Sequence, residues 1–243
     1  MNNVPGSGPR WLDVPAERFA GWVSAFARRH GDPGSLVAAP ALRVVAFTAQ
    51  DGAVAECHPP FAESFARPDG LAEPDEVAAR IAAHAQLPRA VGVLLVRLGG
   101  YAAGVFTGYP PALADAKVGS RLVHGRSAAG GWSQQRFARR REKQANEALE
   151  AAAGTAAAVF GRWTSGITAT GAGAPSRRSR LDALVLGGDK RAVAEIRDDP
   201  RLVPYLAVAT ERFLTVPDPK RSVLEGTPRL FTAVRIKLTE PSC

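Results

Sequence analysis

The chain reads as an α/β (α+β) protein, and three observations predict it. Apolar residues recur at helical spacing over 15–30 and again over 73–86. Val91 to Leu98 is a nearly unbroken apolar run, the pattern of a central strand. Strand-like and helix-like stretches interleave along the chain. With 243 residues, 46% of them hydrophobic and 22% charged, there is enough apolar material for a substantial core in one large or two small domains.

Residues 1–10 read as a disordered leader, and the start MNNVPGSGPRWLD lacks the apolar centre of a signal peptide. Pro15 opens a helix to about His30, with Phe19, Trp22, Val23 and Phe26 on one face, and His30-Gly31-Asp32-Pro33-Gly34 stops it. Leu42 to Thr48 reads as a strand, and Gln50-Asp51-Gly52 turns it into a second, Ala53 to Cys57. After Pro59-Pro60, Glu73-Pro74-Asp75 starts a helix through about Gln86 that buries Val77, Ile81 and Ala85. Leu87-Pro88 is read as the boundary between a small α/β unit, 11–88, and a larger unit, 89–243.

In the larger unit, Gly99-Gly100 turns the Val91 run into a strand from Tyr101 to Thr107. A third strand is expected between Lys117 and Val123. A long helix follows from about Gln134 to Phe160, alanine-rich in its second half and so able to pack closely on a sheet. Thr164 to Arg180 reads as a loop. Leu181 to Leu186 is another strand, ended by Gly187-Gly188, with Asp189 as the cap of a helix over 190–197. Residues 203–216 are ambiguous between helix and strand, and Arg229 to Leu238 alternates as a final strand. No internal repeat is present.

Charge narrows the function. The formal net charge is +8 and the pI near 10.2, which points to a polyanionic partner. Much of the excess sits in Arg121 to Lys143, where six arginines and Lys143 oppose Glu142 alone. On charge alone RNA, DNA and an anionic membrane surface all stay open, but no apolar run reaches the roughly 18 residues of a transmembrane helix, so none is expected. Cys57 and Cys243 make no disulfide framework, and a cytoplasmic protein is predicted. Within the basic stretch, Ser127-Ala128-Ala129-Gly130-Gly131 is a loop of small residues leading through Trp132-Ser133-Gln134-Gln135 into the long helix. Adjacent glycines let a backbone approach a ligand closely, and a helix start adds free N–H groups and a partly positive end.

The run Gly130-Gly131-Trp132-Ser133-Gln134-Gln135-Arg136-Phe137-Ala138-Arg139-Arg140-Arg141 resembles the catalytic loop and following helix of eukaryotic and archaeal class-one peptide release factors. The resemblance includes Val91 to Thr107 upstream and Leu184-Val185-Leu186-Gly187-Gly188 downstream, and so spans roughly 90–215. It is nearer to the Vms-like release-factor group of actinobacterial type, whose tip is Gly-x-x-Gln, a pattern that Gly131-Trp132-Ser133-Gln134 satisfies. The resemblance implies an RNase H-like catalytic module. It also implies the freeing of nascent chains from peptidyl-tRNA on stalled large ribosomal subunits with no metal or nucleotide cofactor, by ester hydrolysis or by cleavage of the tRNA near its 3′ end; a non-catalytic RNA- or ribosome-binding factor is the rival reading. The expected partners are the large subunit and peptidyl-tRNA, with no membrane and no DNA.

Gln134 is then the candidate catalytic residue, with Gly130 and Gly131 as the backbone of the tip. A neutral amide both donates and accepts, so it can hold a water against an ester carbonyl while backbone N–H groups receive the oxyanion. An ungapped alignment anchored on Arg136-Phe137-Ala138-Arg139 puts Trp132 where the classical factors carry glutamine. Gln135, Trp132 and Ser133 therefore remain as alternative catalytic or positioning residues. Trp132 is suited equally to stacking on a terminal base and to covering the helix start. Arg126, Arg136, Arg139, Arg140 and Arg141 are the candidate RNA contacts, with Arg177, Arg178 and Arg180 as an extension. A surface loop with a solvated glutamine, on a solvated cationic helix, is the alternative that spacing alone leaves open. His124 and Ser127 lack an identifiable third member for a triad. Cys57-His58 lacks the further ligands of a metal site, and Gly187-Gly188-Asp189-Lys190 lacks the spacing of a phosphate loop.

Overall fold

The structure, a computed structural model, describes residues 8–31, 37–41, 43–66, 73–97, 99–120, 133–165 and 180–241, with backbone only for 39–41 and 133–142. The chain divides into two compact units. One comprises Met1–Leu87 with Arg229–Cys243, the other Pro88–Pro228.

The first unit is a five-stranded antiparallel sheet under two helices. Its strands are β1 (Arg10–Val14), β2 (Val37–Ala41), β3 (Val44–Thr48), β4 (Val54–His58) and β10 (Val234–Thr239), in the order β1-β10-β4-β3-β2. The helices are α1 (Ala16–Arg29) and α2 (Pro74–Ala85). α1 buries Phe19, Val23 and Phe26, and Glu17 in its first turn with Arg28 and Arg29 in its last complement its dipole. Proline at the start of α2 lacks only an N–H that would have had no helical partner. One core joins these helices to Val45, Phe47, Ala55, Cys57, Val234, Ile236 and Leu238. That alternation in β10 corrects the expected extent of the larger unit. Every second residue of 234–238 is buried in the first core, so 229–243 belongs with the first unit and not with 89–228. Residues 229–231, expected as the start of that strand, lie instead in a helical turn, α7 (Pro228–Phe231). β1 and β2 are strands the sequence reading did not contain.

The second unit holds β5 (Arg89–Arg97), β6 (Gly100–Gly108), β7 (Ala112–Ser120), β8 (Ala183–Gly188) and β9 (Ala209–Leu214), in the order β7-β6-β5-β8-β9. β7, β6 and β5 are antiparallel neighbours, whereas β5, β8 and β9 run parallel. The mixed sheet therefore joins two hairpins to a crossover half. One helix, α3, spans Ser133–Thr164 without a break. α4 (Lys190–Ile196), α5 (Val203–Leu206) and α6 (Arg221–Glu225) are short. The Asp189 side chain caps α4, accepting the N–H of Ala192 at 2.9 Å. The stretch 203–216 is both things the sequence suggested: α5 followed by β9.

α3 packs its second half on the sheet. Ala152, Ala153, Ala156, Val159 and Phe160 interlock with Leu94 and Val96 of β5, Ala103 and Val105 of β6, and Leu184 and Leu186 of β8. Burying each large aliphatic or aromatic side chain contributes about 1.5–3 kcal/mol. Small residues let the layers approach: a Cβ on Gly92 would stand 3.3 Å from Phe160 Cε1 and 2.8 Å from Leu181 Cδ1. Gly188 has φ +102°, and a Cβ there would collide with the Val96 carbonyl. The strand-to-helix turn at 187–189 thus needs glycine, and it closes with the Asp189 N–H donating to Val96 O at 2.7 Å.

Candidate catalytic tip and nucleic-acid interface

Two elements bracket the candidate loop: β7, which ends at Ser120, and α3, which begins at Ser133. Arg126, Gly130, Gly131 and Trp132 lie outside the described residues, as do His124, Ser127, Arg177 and Arg178. So does 121–123, the end of the expected third strand. β7 begins earlier than expected, because the half-buried ALADAKVGS carries no clear apolar alternation. Ser133, Gln134, Gln135, Arg136, Arg139, Arg140 and Arg141 all fall in the first turns of α3.

The register of an unbroken helix divides these residues. At about 100° per residue, Arg136, Arg139 and Arg140 fall on the stripe that Lys143, Asn146 and Glu150 occupy in solvent. Gln134 and Arg141 fall on the opposite stripe, the register of buried Ala148, Ala152 and Val159. Arg141 therefore belongs with Gln134 and not with the other three arginines. Among the described side chains of α3, burial begins at Ala148. That position lies fifteen residues, or about 22 Å, along the helix from Ser133.

The anchored half of α3 is tied down at several points. Arg162 donates to Asp115 of β7 through Nε (2.9 Å to Oδ2) and Nη2 (3.1 Å to Oδ1). The Phe160 and Tyr205 rings meet edge-on at 5.3 Å. Arg201 Nη2 reaches the Glu150 carbonyl at 3.5 Å and is itself gripped by Asp199 at 2.7 Å. The Arg201 hydrogen bond is the main cause that holds the Asp199 carboxyl below its ordinary value. Gly154 leaves room for that arginine, since a Cβ would stand 3.1 Å from Arg201 Nη1.

Near the loop root, the structure adds a pair that the sequence reading missed. Tyr101 of β6 lies opposite Gly119 of β7, one position before Ser120. A Cβ on Gly119 would overlap the Tyr101 ring at Cζ, Oη and Cε2. A glycine inside a strand signals such a close approach, but nothing local names the ring that makes it.

Among the described residues, no group of three or more His, Cys, Asp or Glu side chains is placed to hold a metal ion. Cys57 is fully buried, and burial pushes its thiol up, away from nucleophilic use. No described helix is long and apolar enough to cross a membrane.

Residues 89–237 match the family model described as Actinobacteria/chloroflexi VLRF1 release factor. The chain belongs to this family. The match takes in the whole of the second unit's sheet, the loop and α3, and it extends into β10. No curated protein sequence matches the chain. Among solved structures, an archaeal translation termination factor, aRF1, is similar with a TM-score of 0.41 and 11% identity, over 94% of this chain and 68% of its own. Pelota of Archaeoglobus fulgidus is similar with a TM-score of 0.27 and 11% identity, over 95% of this chain and 66% of its own. The matched span includes the connection between the sheet's edge strand, β7, and its longest helix, in which the candidate tip falls by sequence.

Proposed function

We propose that the chain is a ribosome-associated peptidyl-tRNA hydrolase that frees nascent chains from peptidyl-tRNA on stalled large ribosomal subunits. The observation that carries the reading is the family match over 89–237, which encloses the Gly131-Trp132-Ser133-Gln134 tip. The start of α3 at Ser133 is in keeping with it. In this reading the Arg136, Arg139, Arg140 and Lys143 stripe contacts RNA phosphates, and Arg126 extends it. Gln134 holds a water against the ester carbon that joins peptide to tRNA. The water's oxygen adds to the carbonyl, the C–O bond to the tRNA breaks, and the tRNA leaves with its 3′ hydroxyl restored. Backbone N–H groups of Gly130, Gly131 and the helix start receive the developing oxyanion. The ribosome supplies the alignment of the two reactants, so no strong base from this chain is required. The protein works in the cytoplasm and uses no metal or nucleotide.

The test is release from purified stalled large-subunit complexes, with the tRNA product read at its 3′ end. We predict an intact CCA end with a free hydroxyl. Gln134→Ala is expected to slow release 10²- to 10³-fold, as loss of one positioned group typically does, and Gln135→Ala far less. A shortened tRNA would instead assign nucleolytic cleavage. Binding without release by the wild type would leave a non-catalytic RNA-binding factor, and full activity in the double glutamine variant would reject this tip.

A further inference from the structure

We propose that Tyr101 is a positioning residue for release, a wedge between the end of β7 and the α3 layer that sets the root of the 121–132 loop. The inference rests on the release reading. Tyr101 shares its side of β6 with Ala103 and Val105, which pack into the same cluster as Ala152, Ala153 and Ala156 of α3, and its half-buried ring packs against that cluster. On the same side, the ring lies across Gly119, whose missing side chain makes the space for it. Gly100 pairs with Ser120, so the Tyr101–Gly119 pair is one step inside the last β6–β7 pair before the loop. A bare glycine leaves a strand loose, and an aromatic ring laid across it restores packing. The ring therefore links the end of β7 to the core cluster on which α3 packs. The far end of the ring occupies the position of a Gly119 Cβ, so a methyl group there swings the ring away without moving backbone. Gly119→Ala and Tyr101→Ala then remove the same wedge by different routes.

The experiment measures single-turnover release and subunit binding separately on stalled large-subunit complexes. Tyr101→Ala and Gly119→Ala are each expected to slow release about tenfold or more with binding unchanged, since a misplacement of about 1 Å can cost up to 10² in rate. The double variant is expected to be no slower than either single one, and Tyr101→Phe to release within about twofold of wild type. A Val159→Ala control, in the same cluster but far from the loop, lowers stability without slowing release. Wild-type release by Tyr101→Ala, additive losses in the double variant, or an equal loss in the control would overturn the proposal. If the wild type itself releases nothing, the release reading fails, and the wedge is judged by amide hydrogen exchange over 133–147. Faster exchange in both variants upholds it, and unchanged exchange rejects it.

Discussion

Breaking the Asp115–Arg162 pair from its two ends should cost different amounts, and the difference follows from burial. The Asp115 side chain is 8% exposed, whereas that of Arg162 is 35% exposed. Arg162→Ala strands a carboxylate inside the β7–α3 contact, and stranding one member of a buried pair costs about 3–5 kcal/mol. Partial access of the site to water puts this case near the lower end, about 3 kcal/mol. Asp115→Ala leaves a guanidinium that water can reach, so the loss approaches that of one charge-assisted hydrogen bond, about 1.5 kcal/mol. The double variant should cost less than the two single losses combined, with a coupling of about 1–2 kcal/mol. Urea unfolding of the four proteins measures the cycle, and unchanged slopes would show that compactness is preserved. In thermal terms, the arginine variant should melt roughly 6–12 °C lower, at about 2–4 °C per kcal/mol for a chain of this size. An aspartate variant as costly as the arginine variant would refute the burial argument. A coupling below about 0.5 kcal/mol would show that the pair does not hold α3 to β7.

Two further predictions concern electrostatics. If about four phosphates meet the arginine stripe, binding to large subunits or tRNA should weaken with salt at a log–log slope near −3. Charge reversal at Arg139 and Arg140 should flatten the slope and lower affinity, whereas unchanged binding would remove the stripe from the interface. In the first unit, the Asp51 carboxyl is held below its ordinary value, first by the Ala53 N–H at 2.9 Å and next by the His30 hydrogen bond at 2.9 Å. A lowered carboxyl pKa contributes stability above the ordinary aspartate value that is lost as pH falls through the lowered one. Asp51→Asn should therefore flatten the acid side of the stability curve below about pH 4, and an unchanged acid limb would refute that.

What could be read in advance separates by the range of the interaction that specifies it. α1, α2 and the second half of α3 each advertise an apolar face within one segment, and the Asp189 cap is written three residues from the N–H it binds. β10 advertises its alternation as well. Its neighbours β1 and β4, however, are brought to it from more than 170 residues away, and no local pattern names them. β2, with Pro40 next to its last residue, lies at a sheet edge, where a strand tolerates proline and shows least of its character. The hidden pairing of β10 is also why the sequence boundary took 229–243 into the wrong unit.

The candidate tip illustrates the same limit at closer range. Its residue types and spacing stand in one dozen-residue run, so the family pattern was visible there, while the ring across Gly119 came from another strand. The run RFARRREK looks like a single basic patch. It divides only because α3 continues unbroken from Ser133 to Thr164, which lets buried Ala148, Ala152 and Val159 set the phase for everything upstream. With that phase, Arg136, Arg139 and Arg140 continue the solvent stripe, and Arg141 shares its side with Gln134. The four arginines of the run thereby divide by register, so a test that reverses Arg139 and Arg140 leaves the Arg141 position untouched, and the two sets have to be probed apart.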